Sequence, residues 1–177
     1  MLRFTFFGLL GVLVLAACLT HPSQSRAEVR ADVFRSFQVD KVLVLKSKRR
    51  MHLLRRGQIL RTYQISLGRT PSGKKVRQGD GKTPEGWYVL DTRNPRSKFY
   101  RSMHVSYPNE ADKARARAMG VSPGGAIMIH GEPNHLQNIG FNGRGLDWTE
   151  GCIAVTNREM DEIWNNVPDG TPIEIRP

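Results

Sequence analysis

The stretch Ala126–Ile153, AIMIHGEPNHLQNIGFNGRGLDWTEGCI, decides how the chain is read. It opens on the short apolar run Ala126-Ile127-Met128-Ile129, which reads as a buried strand ending at His130-Gly131. It closes on Thr149-Glu150-Gly151-Cys152-Ile153, and the Gly-, Asn- and Pro-containing residues between read as loop. A thiol near its ordinary pKa of about 8.5 is only a few per cent ionised at neutral pH, so a thiol nucleophile needs an imidazole beside it. His130 can supply one. Gly151 lets the backbone bend so that successive N–H groups, including that of Cys152, aim at a developing oxyanion. Each residue also has a plainer reading: Cys152 as a small buried hydrophobe, His130 as a hydrogen-bonded strand end. Together, a lone thiol beside glycine and a strand-end histidine favour catalysis.

The cysteine count sharpens this. The chain of 177 residues holds two cysteines, Cys18 and Cys152. Met1–Ala17 reads as an export signal, with Arg3 in the charged region and an apolar run from Phe4 to Val14 that is too short to span a bilayer comfortably. Leu15-Ala16-Ala17-Cys18 resembles the bacterial lipobox, in which the cysteine is lipidated; Ser25-Arg26-Ala27 is a competing cleavage site. Residues 18–36 read as a polar tether and 37–177 as one folded domain. Export to the periplasm or cell envelope, with Cys18 either lipidated as an anchor or cut away, leaves Cys152 without an intrachain partner in an oxidising compartment.

Outward from the two motifs, the patterning is mainly β. Runs at Val42–Leu45, Met51–Leu54 and Ile59–Ile65 form a meander with basic turns at Ser47–Arg50 and Arg56-Gly57. Gly68–Gly86 is a Gly/Pro/Thr-rich loop. Trp87–Leu90 and Met103–Tyr107 read as strands about a turn at Asn94-Pro95, with His104 packing on the second. A helix is expected over Asn109–Met119, stopped by Gly120, and another from the capping box Thr156-Asn157-Arg158-Glu159 to Asn166. Pro172–Ile175 is a last strand. The expectation is a mainly β domain with two short helices.

Charge is unevenly placed. The net charge is +11, yet Lys41–Arg101 holds 17 basic and 3 acidic residues while Ser102–Pro177 holds 6 and 10. Such a cationic segment fits either a solvated face or a polyanionic partner. In an exported protein the partner is an anionic cell wall or membrane, not nucleic acid. His130 and His135 invite a metal reading, but Gly131 and Pro133 break the helix that an H-E-x-x-H site needs, so no metal is expected. Gly79-Asp80-Gly81-Lys82-Thr83 lacks the spacing of a phosphate loop.

Ile129-His130-Gly131 followed by Thr149-Glu150-Gly151-Cys152-Ile153 resembles the signature of L,D-transpeptidase catalytic domains. Gly68-Arg69-Thr70-Pro71 and Lys82-Thr83-Pro84-Glu85-Gly86-Trp87-Tyr88 resemble the family's other hallmark, and the likeness spans about Val42–Ile175. The resemblance implies a β-sandwich or mixed-sheet catalytic domain acting on peptidoglycan stem peptides, without cofactor. It makes Cys152 the acyl-accepting nucleophile and His130 its base. It gives Gly131 an orienting carbonyl, Gly151 and Cys152 an oxyanion hole, and Thr149 a buttress for the loop. Arg144 and Trp148 would contact the substrate. The implied reaction forms a thioester at diaminopimelate, releases D-Ala and passes the acyl group to an amine, in cell wall biogenesis and cell shape. The alternatives are a Cys-dependent L,D-carboxypeptidase or amidase, or a non-catalytic wall-binding lipoprotein. The family also implies acylation of the thiol by carbapenems. Two positions depart from the pattern: Glu150 stands where the family has His, and Ala154 where Arg or Asn is common. A carboxylate at 150 would raise the Cys152 pKa.

Overall fold

A computed structural model describes residues 38–141 and 143–177. The expected signal peptide and tether, with Cys18, lie outside the described residues. The order is β1 (Lys41–Leu45), β2 (Arg50–Arg55), β3 (Gln58–Gln64), β4 (Gly86–Ser97), β5 (Tyr100–Val105), α1 (Glu110–Ala118), β6 (Met128–His130), a 3-10 helix (Asn134–Ile139), β7 (Ile153–Ala154), α2 (Asn157–Asn166) and β8 (Thr171–Arg176).

All eight strands join one mixed sheet, ordered β3-β2-β1-β8-β4-β5-β6-β7. Of the expected β-sandwich or mixed sheet, the structure has the mixed sheet, curled on itself. Just past β3, Ser66 bridges Ala154 of β7, and Gly68 bridges Thr149, so the two ends of the sheet meet. The pairings β1–β8 and β6–β7 are parallel and the rest antiparallel. Alternation in β1 sends Val42 and Val44 inward, while β8 contributes Ile173 and Ile175 to the same core and β6 and β7 contribute Ile129 and Ile153. Met160 and Ile163 of α2 cover that core, as the helical spacing predicts.

Local chemistry explains the element ends. Arg56 and Gly57 both have positive φ (51° and 78°), the geometry of the two-residue hairpin turn that joins β2 to β3. Both helices carry reciprocal capping boxes: Asn109 with Asp112 opens α1, and Thr156 with Glu159 opens α2.

Three expectations need correction. The chain does not turn at Asn94-Pro95; β4 runs on to Ser97 and the hairpin reverses at Lys98-Phe99. Pro95 is tolerated because it lies where the register slips between Asn94 and Ser97, so its missing N–H costs the ladder no bond. The 3-10 helix at Asn134–Ile139, introduced by Pro133 and ended by left-handed Gly140, adds a third helical segment among the described residues. His104 does not pack inward but sits half-buried with Nδ1 2.7 Å from Asp91.

Candidate active site

The parallel pairing of β6 and β7 builds the site. It sets Ile129 beside Ile153 and His130 beside Ala154. Ile129 and Ile153 face the core, so alternation turns His130 to the other side of the sheet. Cys152, one residue before β7, falls beside Met128 and diagonal to His130, on the same face of the sheet.

His130 is 3% exposed. Its ring centroid lies 4.5 Å from that of Phe99 and 5.6 Å, edge-on, from that of Trp148. Nδ1 is 2.7 Å from the Gly131 carbonyl. A carbonyl only accepts, so Nδ1 carries the proton and Nε2 the lone pair. Burial lowers the imidazole pKa to about 4 against the weaker opposing effect of that hydrogen bond, so the ring is neutral at pH 7. The Gly131 position admits no side chain: a Cβ would stand 2.5 Å from Asn157 Oδ1 and 2.9 Å from Tyr100 Cβ.

Thr149 ties the cysteine loop. Its Oγ1 donates to the Cys152 carbonyl at 2.8 Å and accepts from Gly151 N at 3.1 Å. Gly151 adopts φ 131°, and a Cβ there would lie 2.6 Å from the Lys82 carbonyl. The bend expected at Gly151 is present, but its N–H points to Thr149. Of the two amides expected to hold an oxyanion, that leaves Cys152 N–H outside the Thr149 contact.

The Cys152 thiol is half-buried and contacts the Ala126 carbonyl at 3.6 Å. Burial raises its pKa; a backbone hydrogen bond from Met128 and the charge of Lys75 oppose that rise. Glu150 is not the cause. Its carboxylate lies in solvent, 2.9 Å from Arg69, with both side chains about two-thirds exposed. The cysteine opens on a cleft of about 690 Å³ whose walls include Lys75, Gln78, Gly124, Ala126 and Glu150.

Arg144 and Trp148 sit elsewhere. Arg144 pairs with Glu159 at 2.7 Å, and Arg144 and Trp148 line a separate small recess with Ser66 and Phe141. Trp148 stacks within the His130–Phe99–Phe141 aromatic group and so walls the imidazole rather than the thiol's cleft.

The loop at Gly68–Gly86 contributes residues that the motifs did not reveal. Lys75 is 3% exposed and bonds Arg77 O at 3.0 Å and Asp80 Oδ1 at 2.8 Å. Asp80 also accepts from the amides of Val76, Arg77 and Lys82. Burial pushes its carboxyl upward, but Lys75 and those amides outweigh it and hold it at about 2. The sequence signal is an aspartate between two glycines, Gly79-Asp80-Gly81. Lys46, 2% exposed, fastens the same loop through Gly73 O (2.7 Å), Thr83 O (2.9 Å) and Glu85 (2.7 Å).

A family model for YkuD, the L,D-transpeptidase catalytic domain, matches residues 39–175. The chain belongs to this family. Among its relatives, the Escherichia coli K12 protein named "Putative L,D-transpeptidase YafK" is 32% identical over 112 residues, covering 62% of this chain and 38% of that protein. Among solved structures, the helical cell shape determining protein Pgp2 of Campylobacter jejuni aligns with TM-score 0.57 at 28% identity, covering 79% of this chain and 48% of that one. Bd1075 of Bdellovibrio bacteriovorus aligns with TM-score 0.57 at 26% identity over the same shares. The L,D-transpeptidase of Xylanimonas cellulosilytica, at 17% identity and TM-score 0.53, covering 80% of this chain and 62% of that one, shares the fold. The chain therefore spans about half the length of these two closer structural relatives, and less of YafK.

Proposed function

We propose that the protein is an exported, cysteine-dependent peptidoglycan L,D-transpeptidase. The observation that carries this reading is the placement of Cys152: the one free thiol among the described residues, at the head of β7, open to a cleft and diagonal to a neutral histidine whose tautomer is fixed by Gly131. Family membership over residues 39–175 supports it.

The Cys152 proton passes to His130 Nε2 once the thiol turns from the Ala126 carbonyl, a contact of the kind that tightens on substrate binding. The thiolate attacks the amide carbonyl joining the L-centre of diaminopimelate to the terminal D-Ala of a tetrapeptide stem. The tetrahedral oxyanion forms beside Cys152 N–H. The imidazolium is a strong acid in this buried setting, and it protonates the departing D-Ala amine as the C–N bond breaks. A thioester remains. An acceptor amine, such as a second diaminopimelate side chain, attacks it and sulfur leaves; His130 takes the amine's proton and returns it to the thiolate. The chain's own residues suffice for these steps, since a thiol and one base perform two-step acyl transfer.

Incubation with tetrapeptide-rich peptidoglycan, followed by mass spectrometry of the muropeptides, tests the reading. Tetrapeptides should be consumed, D-Ala released and crosslinked dimers formed, all lost in Cys152→Ala. Unchanged stems with the wild type, or equal activity in the variant, would overturn it. Tripeptide monomers without dimers would make water the acceptor, and the protein an L,D-carboxypeptidase.

A further inference from the structure

We propose that Lys75 is the electrostatic partner of the Cys152 thiolate, held at the cleft wall by Asp80. The proposal rests on Cys152 being the acyl acceptor and adds a residue to that reaction.

An ammonium seldom leaves water without a task, because its desolvation is expensive unless charge meets it. Lys75 is 97% withdrawn from solvent, yet only two of its three donors are used within its own loop, on Arg77 O and Asp80 Oδ1. It lines the same cleft as Cys152. Its place is fixed by the loop, which is pinned through Lys46 to Gly73, Thr83 and Glu85, through Thr70 N to Gly81 O (2.9 Å), and through Gln78 N to Ser122 O (2.8 Å).

The charged and titratable groups around the thiol divide clearly. From its own segment, Glu150 lines the cleft as well, but it is exposed to solvent and paired with Arg69. From β6, His130 is neutral and bears no charge until it accepts the thiol's proton. From the 68–85 loop come Lys75 and, behind it, Asp80. Burial disfavours the thiolate, and Lys75 is the charged side chain that counters it. The same field steadies the anion after proton transfer and again when the thioester is resolved and sulfur leaves as thiolate.

The rate of alkylation of Cys152 by neutral iodoacetamide, followed by intact mass from pH 6 to 10, reads the thiol directly and needs no peptidoglycan. Lys75→Met should slow alkylation at pH 7 by about tenfold and move the profile to higher pH, one unit being tenfold in thiolate. Lys75→Arg should stay within about twofold of wild type. Asp80→Asn, which removes the carboxylate that balances Lys75, should speed alkylation. A loop-supporting role alone would move Lys75→Met and Asp80→Asn in the same direction, and that result, or an unchanged profile in Lys75→Met, would overturn the proposal. If Lys75→Met does not fold, Asp80→Asn decides, with faster alkylation supporting the proposal and equal or slower alkylation ending it. Muropeptide activity of the wild type judges the acyl-transfer reading separately.

Discussion

A neutral His130 beside a protonated Cys152 means that the resting pair carries no charge, unlike a thiolate–imidazolium pair. The cause is burial, which lowers the imidazole to about 4 and raises the thiol. A histidine with a depressed folded pKa stabilises the fold above its unfolded value of about 6.5, and that contribution is lost as pH falls toward 4. Wild type should therefore lose roughly 3 kcal/mol relative to His130→Gln over this window, at 1.36 kcal/mol per unit. Urea midpoints of the two proteins at pH 7 and pH 4 check it, and parallel curves would contradict the burial of a neutral ring. Thr149 acts at the same scale by joining the Cys152 carbonyl to Gly151 N. Thr149→Val leaves both without that partner and should cost about 1–3 kcal/mol with a fall in kcat, while Thr149→Ser should restore most of both. The sequence exposed these residues because each is chemically conspicuous: a lone thiol, a strand-end histidine, a threonine two residues before a glycine. It could not show that Gly151 N–H is committed to Thr149, since that depends on a loop conformation no motif encodes.

Among the elements, the loop between β3 and β4 matters most to the site. It is held by a buried ion pair, Lys46–Glu85, reinforced by two carbonyls. Burial lowers the Lys46 pKa and Glu85 opposes the shift, so the pair is a fastening whose net worth is small but whose breakage is costly. Lys46→Ala should destabilise by about 3–5 kcal/mol and reduce kcat/KM, because the loop carrying Lys75 loosens. The double variant Lys46→Met/Glu85→Leu should be less damaging than the two single changes combined, a coupling of about 1–3 kcal/mol in thermal or urea unfolding. Strict additivity would show that the two residues act apart. The strands β1 to β6 and β8 were legible from their apolar runs, the first helix from its Ala/Lys/Arg content and its stop at Gly120, and the second from the Thr156 capping box. The two-residue β7 was not, because Ile153-Ala154 has no periodicity of its own and becomes a strand only by pairing with β6 and bridging Ser66. The end of β4 escapes sequence reading for a related reason: Asn94-Pro95 carries turn chemistry, and the register slip against β5 overrides it.

Across the whole molecule, part of the uneven charge is met within the fold. Arg49 meets Asp147, Arg61 meets Glu162, Arg69 meets Glu150, Arg93 meets Asp169, Arg101 meets Asp161 and Lys41 meets Glu174, so the basic first part folds onto the acidic second. The composition displayed the imbalance; only the curled sheet reveals that the halves complement one another. Lys48, Arg50, Arg55 and Arg56 remain exposed at the two ends of β2. We propose that they hold the protein to the anionic envelope. Retention on isolated sacculi should fall as salt rises from 50 to 500 mM, and replacing the four by Gln should flatten that dependence; salt-independent retention would contradict it. The central claim, that Cys152 is the acylated nucleophile of an L,D-transpeptidase, is reached most directly by intact-mass measurement of wild type and Cys152→Ala with and without a carbapenem. The account predicts one adduct on wild type, mapped to the peptide bearing Cys152, and none on Cys152→Ala; an unmodified wild type, or an adduct of equal extent on the variant, would contradict it.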